Sequence, residues 1–203
     1  MAELRFPINE RDHVLGEATA RVTLVEYGDY QCPHCQAAQP HVERVLRQFG
    51  RDLLYAFRHF PLTTLHPMAK PAAETAEFAG AHGRFWQMHT ALFANGAQLS
   101  GPVLLLLAEQ VNLDPAELRS ALVHGDYAPK VDADFAGGVR SGVNGTPCFF
   151  INGRRFDGAH DAISLAAAID SARAKAAADG GESRQRARAT LRHRSVRQAP
   201  RAG

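Results

Sequence analysis

The segment Cys32-Pro33-His34-Cys35 is where this sequence most plainly offers chemistry. Two cysteines at this spacing can close a disulfide with each other, and a pair that opens and closes it is a two-electron redox couple. The same residue types also suit half of a zinc site, or two ordinary buried thiols. Structural zinc takes four ligands. No second CXXC or HXXXH occurs, although ten histidines leave room for a mixed site. Position favours the redox reading. The preceding run, Arg21-Val-Thr-Leu-Val-Glu-Tyr, is β-branched and aromatic without polar alternation, the pattern of a central strand buried on both faces. Gly28-Asp29-Tyr30-Gln31 breaks the run. Pro33 suits the first turn of a helix reaching about Phe49, which Gly50 closes. A thiol at a helix N-terminus faces unpaired N–H groups and the positive end of the helix dipole, and both stabilise its thiolate. The His34 ring can donate to the Cys32 sulfur or, as imidazolium, pair with it. A thiolate stabilised in this way is a good leaving group, and its disulfide is easily reduced. Cys35, one turn further in, is expected to be less exposed and to act as the resolving thiol.

The elements that must hold this pair are also readable. Leu53 to Phe60 has strand character and stops at Pro61, so strand, helix and strand form a βαβ unit. From Pro67 to Arg140 the pattern is helical, with segments near 68–80, 84–94, 102–111, 115–124 and 128–140. Asp114-Pro115-Ala116-Glu117 combines a capping Asp, a first-turn Pro and a Glu three residues after the cap. Strands return at Cys148 to Ile151 and Arg154 to Asp157, joined by Asn152-Gly153, a strong hairpin signal. A last helix is expected over 161–178. Pro40 falls inside the first helix and should kink it.

Composition sets the frame. The chain has 203 residues, 45% hydrophobic and 22% charged, enough to bury a substantial core. The longest apolar run, Val103 to Ala108, is far short of the ~18 residues of a membrane span. Three cysteines are too few for a disulfide-stapled scaffold. No basic segment followed by an apolar one opens the chain, so the expected location is cytoplasmic, or extracytoplasmic if the N-terminus is trimmed. Charge is uneven. Residues 181–203 carry seven Arg against one Glu, while the 180 residues before them hold 16 basic and 20 acidic side chains. The chain therefore divides into a domain over 1–180 and a basic, disordered tail over 181–203. Such a tail attracts anionic surfaces weakly.

Val25-Glu-Tyr-Gly-Asp-Tyr-Gln-Cys-Pro-His-Cys resembles the active-site segment of DsbA-like thiol–disulfide oxidoreductases, a branch of the thioredoxin superfamily. Arg58-His-Phe-Pro-Leu with His66-Pro67 resembles the exit of their second strand. Val143-Asn-Gly-Thr-Pro resembles their cis-proline loop, and Phe149-Phe-Ile-Asn-Gly-Arg-Arg-Phe-Asp-Gly the hairpin after it. The resemblance covers roughly residues 10–178. It implies an α/β thioredoxin fold with a helical insertion at about 67–141. It also implies protein-disulfide oxidoreductase activity on cysteine-containing protein substrates, with a separate redox partner for recycling and no cofactor or metal. Cys32 becomes the nucleophile and Cys35 the resolving thiol, with Pro33 and His34 between them. Thr146 and Pro147 form the cis-proline pair facing the cysteines. Glu26, six residues before Cys32, falls where thioredoxin relatives bury an acid behind the site. A carboxyl in an apolar strand has a raised pKa and can exchange a proton with Cys35.

Cys148, directly after Pro147, departs from the family pattern. Strand alternation turns it away from the side occupied by Pro147, so it reads as a buried thiol, with a third redox thiol as the sharper alternative. Phe78, Phe85, Trp86 and Phe93 read as the core of the helical insertion, with a polypeptide-binding groove as the minority reading. A non-catalytic module on the same fold (a holdase, a metal carrier or a nucleic-acid-tethered adaptor) is the competing function.

Overall fold

Alternation along the strands explains why both faces of the sheet are covered. Along β2 (Val22–Gly28), Val22 and Leu24 belong to one apolar cluster, and Val25 and Tyr27 to another. Along β3 (Leu53–His59), Leu53, Tyr55 and Phe57 join the first cluster, and Ala56 the second. Along β4 (Cys148–Ile151), Phe149 and Ile151 join the first, Cys148 and Phe150 the second. Side chains two apart share a face, so each strand feeds both layers.

The computed structural model describes residues 2–178; the tail expected over 181–203 lies outside them. Its five-stranded sheet has the order β1-β3-β2-β4-β5, where β1 is His13–Leu15 and β5 is Arg154–Phe156. β2 and β3 run parallel, and α1 (Pro33–Phe49) connects them; the other pairings are antiparallel. Five helices intervene between β3 and β4: α2 (Ala69–Ala81), α3 (Phe85–Ala94), α4 (Gly101–Gln110), α5 (Pro115–His124) and α6 (Ala128–Arg140). A final helix, α7, spans 162–178. This is the thioredoxin-type α/β fold with a helical insertion.

Local chemistry accounts for the boundaries. The Asp114 carboxylate accepts the Ala116 N–H at 2.7 Å to cap α5, and Gly125 ends it at a left-handed φ of 67°. Asn152 and Gly153 both take positive φ in the β4–β5 turn. α1 runs through Pro40 as one helix. Phe78, Phe85 and Phe93 are buried in the larger core, with Trp86 packed against it.

The sequence reading missed β1, which pairs antiparallel with β3, with His13 opposite Phe57. Three half-exposed residues are too short to show a period. What holds them is tertiary: the Arg58 guanidinium grips Asp12, and His13 Nε2 lies 3.0 Å from Glu77 Oε2.

Candidate active site

β2 ends at Gly28 and α1 begins at Pro33, so the cysteines sit where strand hands over to helix. Gly28 is required there, since a Cβ would come within 2.5 Å of the Phe57 ring. The next residues fold tightly: the Cys32 N–H donates to the Asp29 carbonyl at 3.1 Å, and the Cys32 carbonyl accepts the Gln36 N–H. Cys32 thus caps α1 through its backbone, with Pro33 exposed at the first helical position, where its missing N–H costs nothing. Cys32, Cys35 and Cys148 are all unbridged thiols.

The two CXXC sulfurs differ sharply. Cys32 keeps 3% of its surface exposed and Cys35 none. The Cys32 pKa is pulled down to about 5, chiefly by a hydrogen bond from Cys35; burial opposes the shift, and donors from Thr146, Cys35 N–H and His34 N–H add to it. Cys35 is pushed well above the ordinary thiol range, first by burial and then by its bond to Cys32 and the nearby Glu26 charge. The Asp29 N–H reaches the Cys35 sulfur at 3.5 Å. His34 acts on Cys32 through its backbone amide. Its ring is exposed and lies within electrostatic reach of His160, whose pKa is lowered by burial and then by His34.

Thr146 and Pro147 come from the loop before β4, far away in sequence, and the peptide bond between them is cis. The Thr146 carbonyl lies 3.5 Å from Cys32 Sγ. The buried Thr146 hydroxyl makes no hydrogen bond within ordinary distance among the described residues, and its nearness to the same sulfur favours the thiolate. Cys148 lies on the opposite sheet face from Cys35, with Val25, Tyr27 and Phe150, and burial raises its pKa.

Glu26 is fully buried on the face of β2 that α1 covers. Tyr55 Oη donates to its Oε2 at 2.7 Å, and Gln39 Nε2 to its Oε1 at 3.4 Å. Burial pushes its pKa up to about 7, although the Tyr55 bond pulls the other way. Tyr55 and Gln39 also line a cavity of about 280 Å³ between α1 and α3. The sequence reading passed over both partners. Gln39 lies four residues after Cys35, on the same helix face, and Tyr55 alternates with Leu53 and Phe57 on the core side of β3.

A raised carboxyl pKa has a definite consequence for stability. Below the unfolded value of 4.5, Glu26 is neutral in both states and folding costs nothing in protons. As pH rises through about 7, the unfolded chain is already ionised while the folded one is held neutral, so stability is lost. Glu26→Gln is therefore expected to gain on the wild type by roughly 3 kcal/mol between pH 4 and pH 8.5. Denaturant midpoints at the two pH values measure this difference; equal offsets at both would contradict it.

Elsewhere, His59, Glu77 and Asp134 place ligand atoms within 4.8 Å of one another. Lys130 Nζ lies 2.7 Å from Asp134 and 3.8 Å from Glu77, so a side-chain ammonium already supplies the positive charge. No helix among the described residues is long and apolar enough to cross a membrane.

Comparison with known proteins places this geometry. The oxidised BdbD structure from Bacillus subtilis matches with a TM-score of 0.77 at 22% identity, covering 85% of this chain and 98% of BdbD. A thioredoxin-like oxidoreductase from Silicibacter pomeroyi matches at 0.67 and 29% identity, over 81% of this chain and 94% of that one. In sequence, the chain is 44% identical over 171 residues to the Na(+)/H(+) antiporter NhaA 1 of Salinispora arenicola, covering 84% of this chain and 26% of the antiporter. The chain spans about a quarter of the length of the curated relatives it matches. A family model described as thioredoxin runs across residues 8–171, taking in both halves of the sheet and the helices lodged between them. By that match the chain belongs to the thioredoxin family.

Proposed function

We propose that this chain is a protein thiol–disulfide oxidoreductase whose oxidised Cys32–Cys35 pair donates its disulfide to cysteine-containing proteins. The observation that carries the reading is the asymmetry of the pair, with Cys32 ionising at about 5 and Cys35 held far above it. A substrate thiolate attacks Cys32 Sγ, the Cys32–Cys35 bond breaks, and Cys35 leaves with the electron pair. Cys35 is a poor leaving group as an anion and needs a proton; Glu26, with a pKa of about 7, is placed to give one. A second substrate thiolate then attacks the substrate sulfur of the mixed disulfide, and Cys32 departs as a stable thiolate. Two electrons have passed from substrate to protein, and a separate oxidant must return the pair to the disulfide. Thr146 and Pro147 serve as the edge against which an extended substrate lies, and Pro33 and His34 keep the helix N-terminus open beside it. Because a stabilised thiolate makes the couple oxidising, its natural setting is an oxidising compartment. The match to a quarter of each antiporter supports work close to a membrane ion transporter in chains that carry both parts.

Equilibration with glutathione buffers, followed by alkylation of free thiols, tests the proposal. We expect a reduction potential nearer the ~−120 mV of strong oxidants than the ~−270 mV of thioredoxin reductants. A value at the lower figure would reverse the direction of exchange. A pair that forms no disulfide at any poise would leave the non-catalytic binding module as the better reading.

A further inference from the structure

Asp29 is tied to both cysteines by its backbone and to a second loop by its side chain. Its N–H donates to Cys35 Sγ, and its carbonyl accepts the Cys32 N–H. Its fully buried carboxylate accepts the Gln31 N–H on Oδ1 at 2.8 Å. On Oδ2 it accepts the Leu62 N–H at 3.0 Å and stands 2.8 Å from His66 Nδ1. Gln31 adds a second tie, its Oε1 accepting the Met68 N–H at 2.7 Å. The 62–68 loop is thereby stapled to the turn that carries the CXXC. His66 keeps 17% of its side chain exposed.

We infer that Asp29, held by His66, is a positioning residue for the Cys32–Cys35 couple: the staple keeps the Asp29 amide on Cys35, and so keeps Cys35 aimed at Cys32. This rests on the oxidoreductase reading and goes beyond it, since neither Asp29 nor His66 touches a reacting sulfur with its side chain. The bond from Cys35 is the largest influence lowering the Cys32 pKa, so whatever fixes the Cys35 sulfur tunes the thiolate at a distance. A loosened turn weakens that bond, raises the ionisation midpoint of Cys32 and makes the disulfide harder to reduce.

The full-length chain and three variants would be compared by thiolate absorbance against pH and by the glutathione equilibrium, with thermal midpoints recorded alongside. His66→Leu removes the donor and is expected to raise the Cys32 midpoint by roughly 0.5 to 1. It should also shift the glutathione equilibrium up to about tenfold toward the disulfide, or ~30 mV for a two-electron couple. His66→Asn keeps a neutral N–H donor near the Nδ1 position and should restore most of both. Asp29→Asn should move both quantities in the same direction as His66→Leu, because an amide cannot accept all three donors. A role for Asp29 as a charge alone predicts the opposite sign, since losing an anion would favour the thiolate. Values within twofold of wild type for His66→Leu, failure of His66→Asn to restore them, or a lowered midpoint in Asp29→Asn would each overturn the inference. A wild-type chain that cycles normally while ignoring His66 removes the positioning role alone. A wild-type chain that forms no Cys32–Cys35 disulfide overturns the oxidoreductase reading and this inference with it.

Discussion

Cys32→Ser is expected to abolish disulfide exchange, whereas Cys35→Ser should leave a reactive thiolate that stalls as a mixed disulfide. With a pKa of about 5, Cys32 is almost wholly ionised at pH 7. A thiol at the ordinary 9.0 would be about 1% ionised there, so ionisation alone gives Cys32 roughly a hundredfold advantage in thiolate population. Cys35 cannot substitute, because it is fully buried and its pKa is raised above that ordinary value. Removing Cys32 therefore costs at least about a hundredfold in rate, and the internal disulfide can no longer form at all. Cys35→Ala leaves no side-chain donor to Cys32 at that position, so in that variant the ionisation midpoint should rise from about 5. Alkylation rate against pH measures both effects: a wild-type midpoint near 5, a higher one in Cys35→Ala, and no fast phase in Cys32→Ser. A wild-type midpoint near 9 would refute the thiolate argument.

Arg58→Met should lower stability by about 3–5 kcal/mol, the usual cost of stranding one partner of a buried ion pair. Arg58 and Asp12 expose only 4% and 3% of their side chains. The guanidinium donates to Asp12 Oδ1 at 2.7 Å and Oδ2 at 2.8 Å, to the Phe6 and Pro7 carbonyls, and to the Tyr27 hydroxyl. Every donor of the fork is used. Methionine fills part of the space and leaves a buried carboxylate and two carbonyls without their cation. For a chain of this size the loss corresponds to a fall in Tm of about 6–20 °C. Adding Asp12→Leu should return part of it, because the stranded charge goes too. Hydrogen exchange should show the damage concentrated in β1 and the segment before it, with the Cys32 midpoint unmoved. A loss under 1 kcal/mol would show that the N-terminal segment does not depend on this pair.

The local parts of this molecule were legible because each follows from a few neighbouring residues. A strand without polar alternation, a break at Gly28-Asp29 and a proline at the first helical turn suffice to place Cys32 at a helix N-terminus. Asp114-Pro115 marks the start of α5, and Asn152-Gly153 the hairpin, by turn and capping chemistry alone. Alternation also read Cys148 as a buried thiol, and it is buried with Val25, Tyr27 and Phe150. The resemblance to DsbA-like sequences joined these pieces into one architecture, although it gave no reason for β1.

Only the tertiary structure decided what surrounds the thiols. The apolar run around Glu26 suggested its burial, but the tyrosine 29 residues away that binds it appears only once β2 and β3 are paired. The sequence read His34 as a ring beside Cys32, whereas the fold turns its amide to the sulfur and leaves the ring in solvent. Asp29 looked like a strand breaker. Its role emerged because Leu62 and His66, more than thirty residues on, return to its carboxylate. Arg58 was a motif letter until the N-terminal segment folded over it and brought Asp12 within 2.7 Å. Sequence thus determined the elements other than β1, and the thiols at their junction, since helix and turn chemistry is local. The pKa values, the proton donor and the staples were left to the fold, because they depend on burial and on partners that only a closed chain brings together.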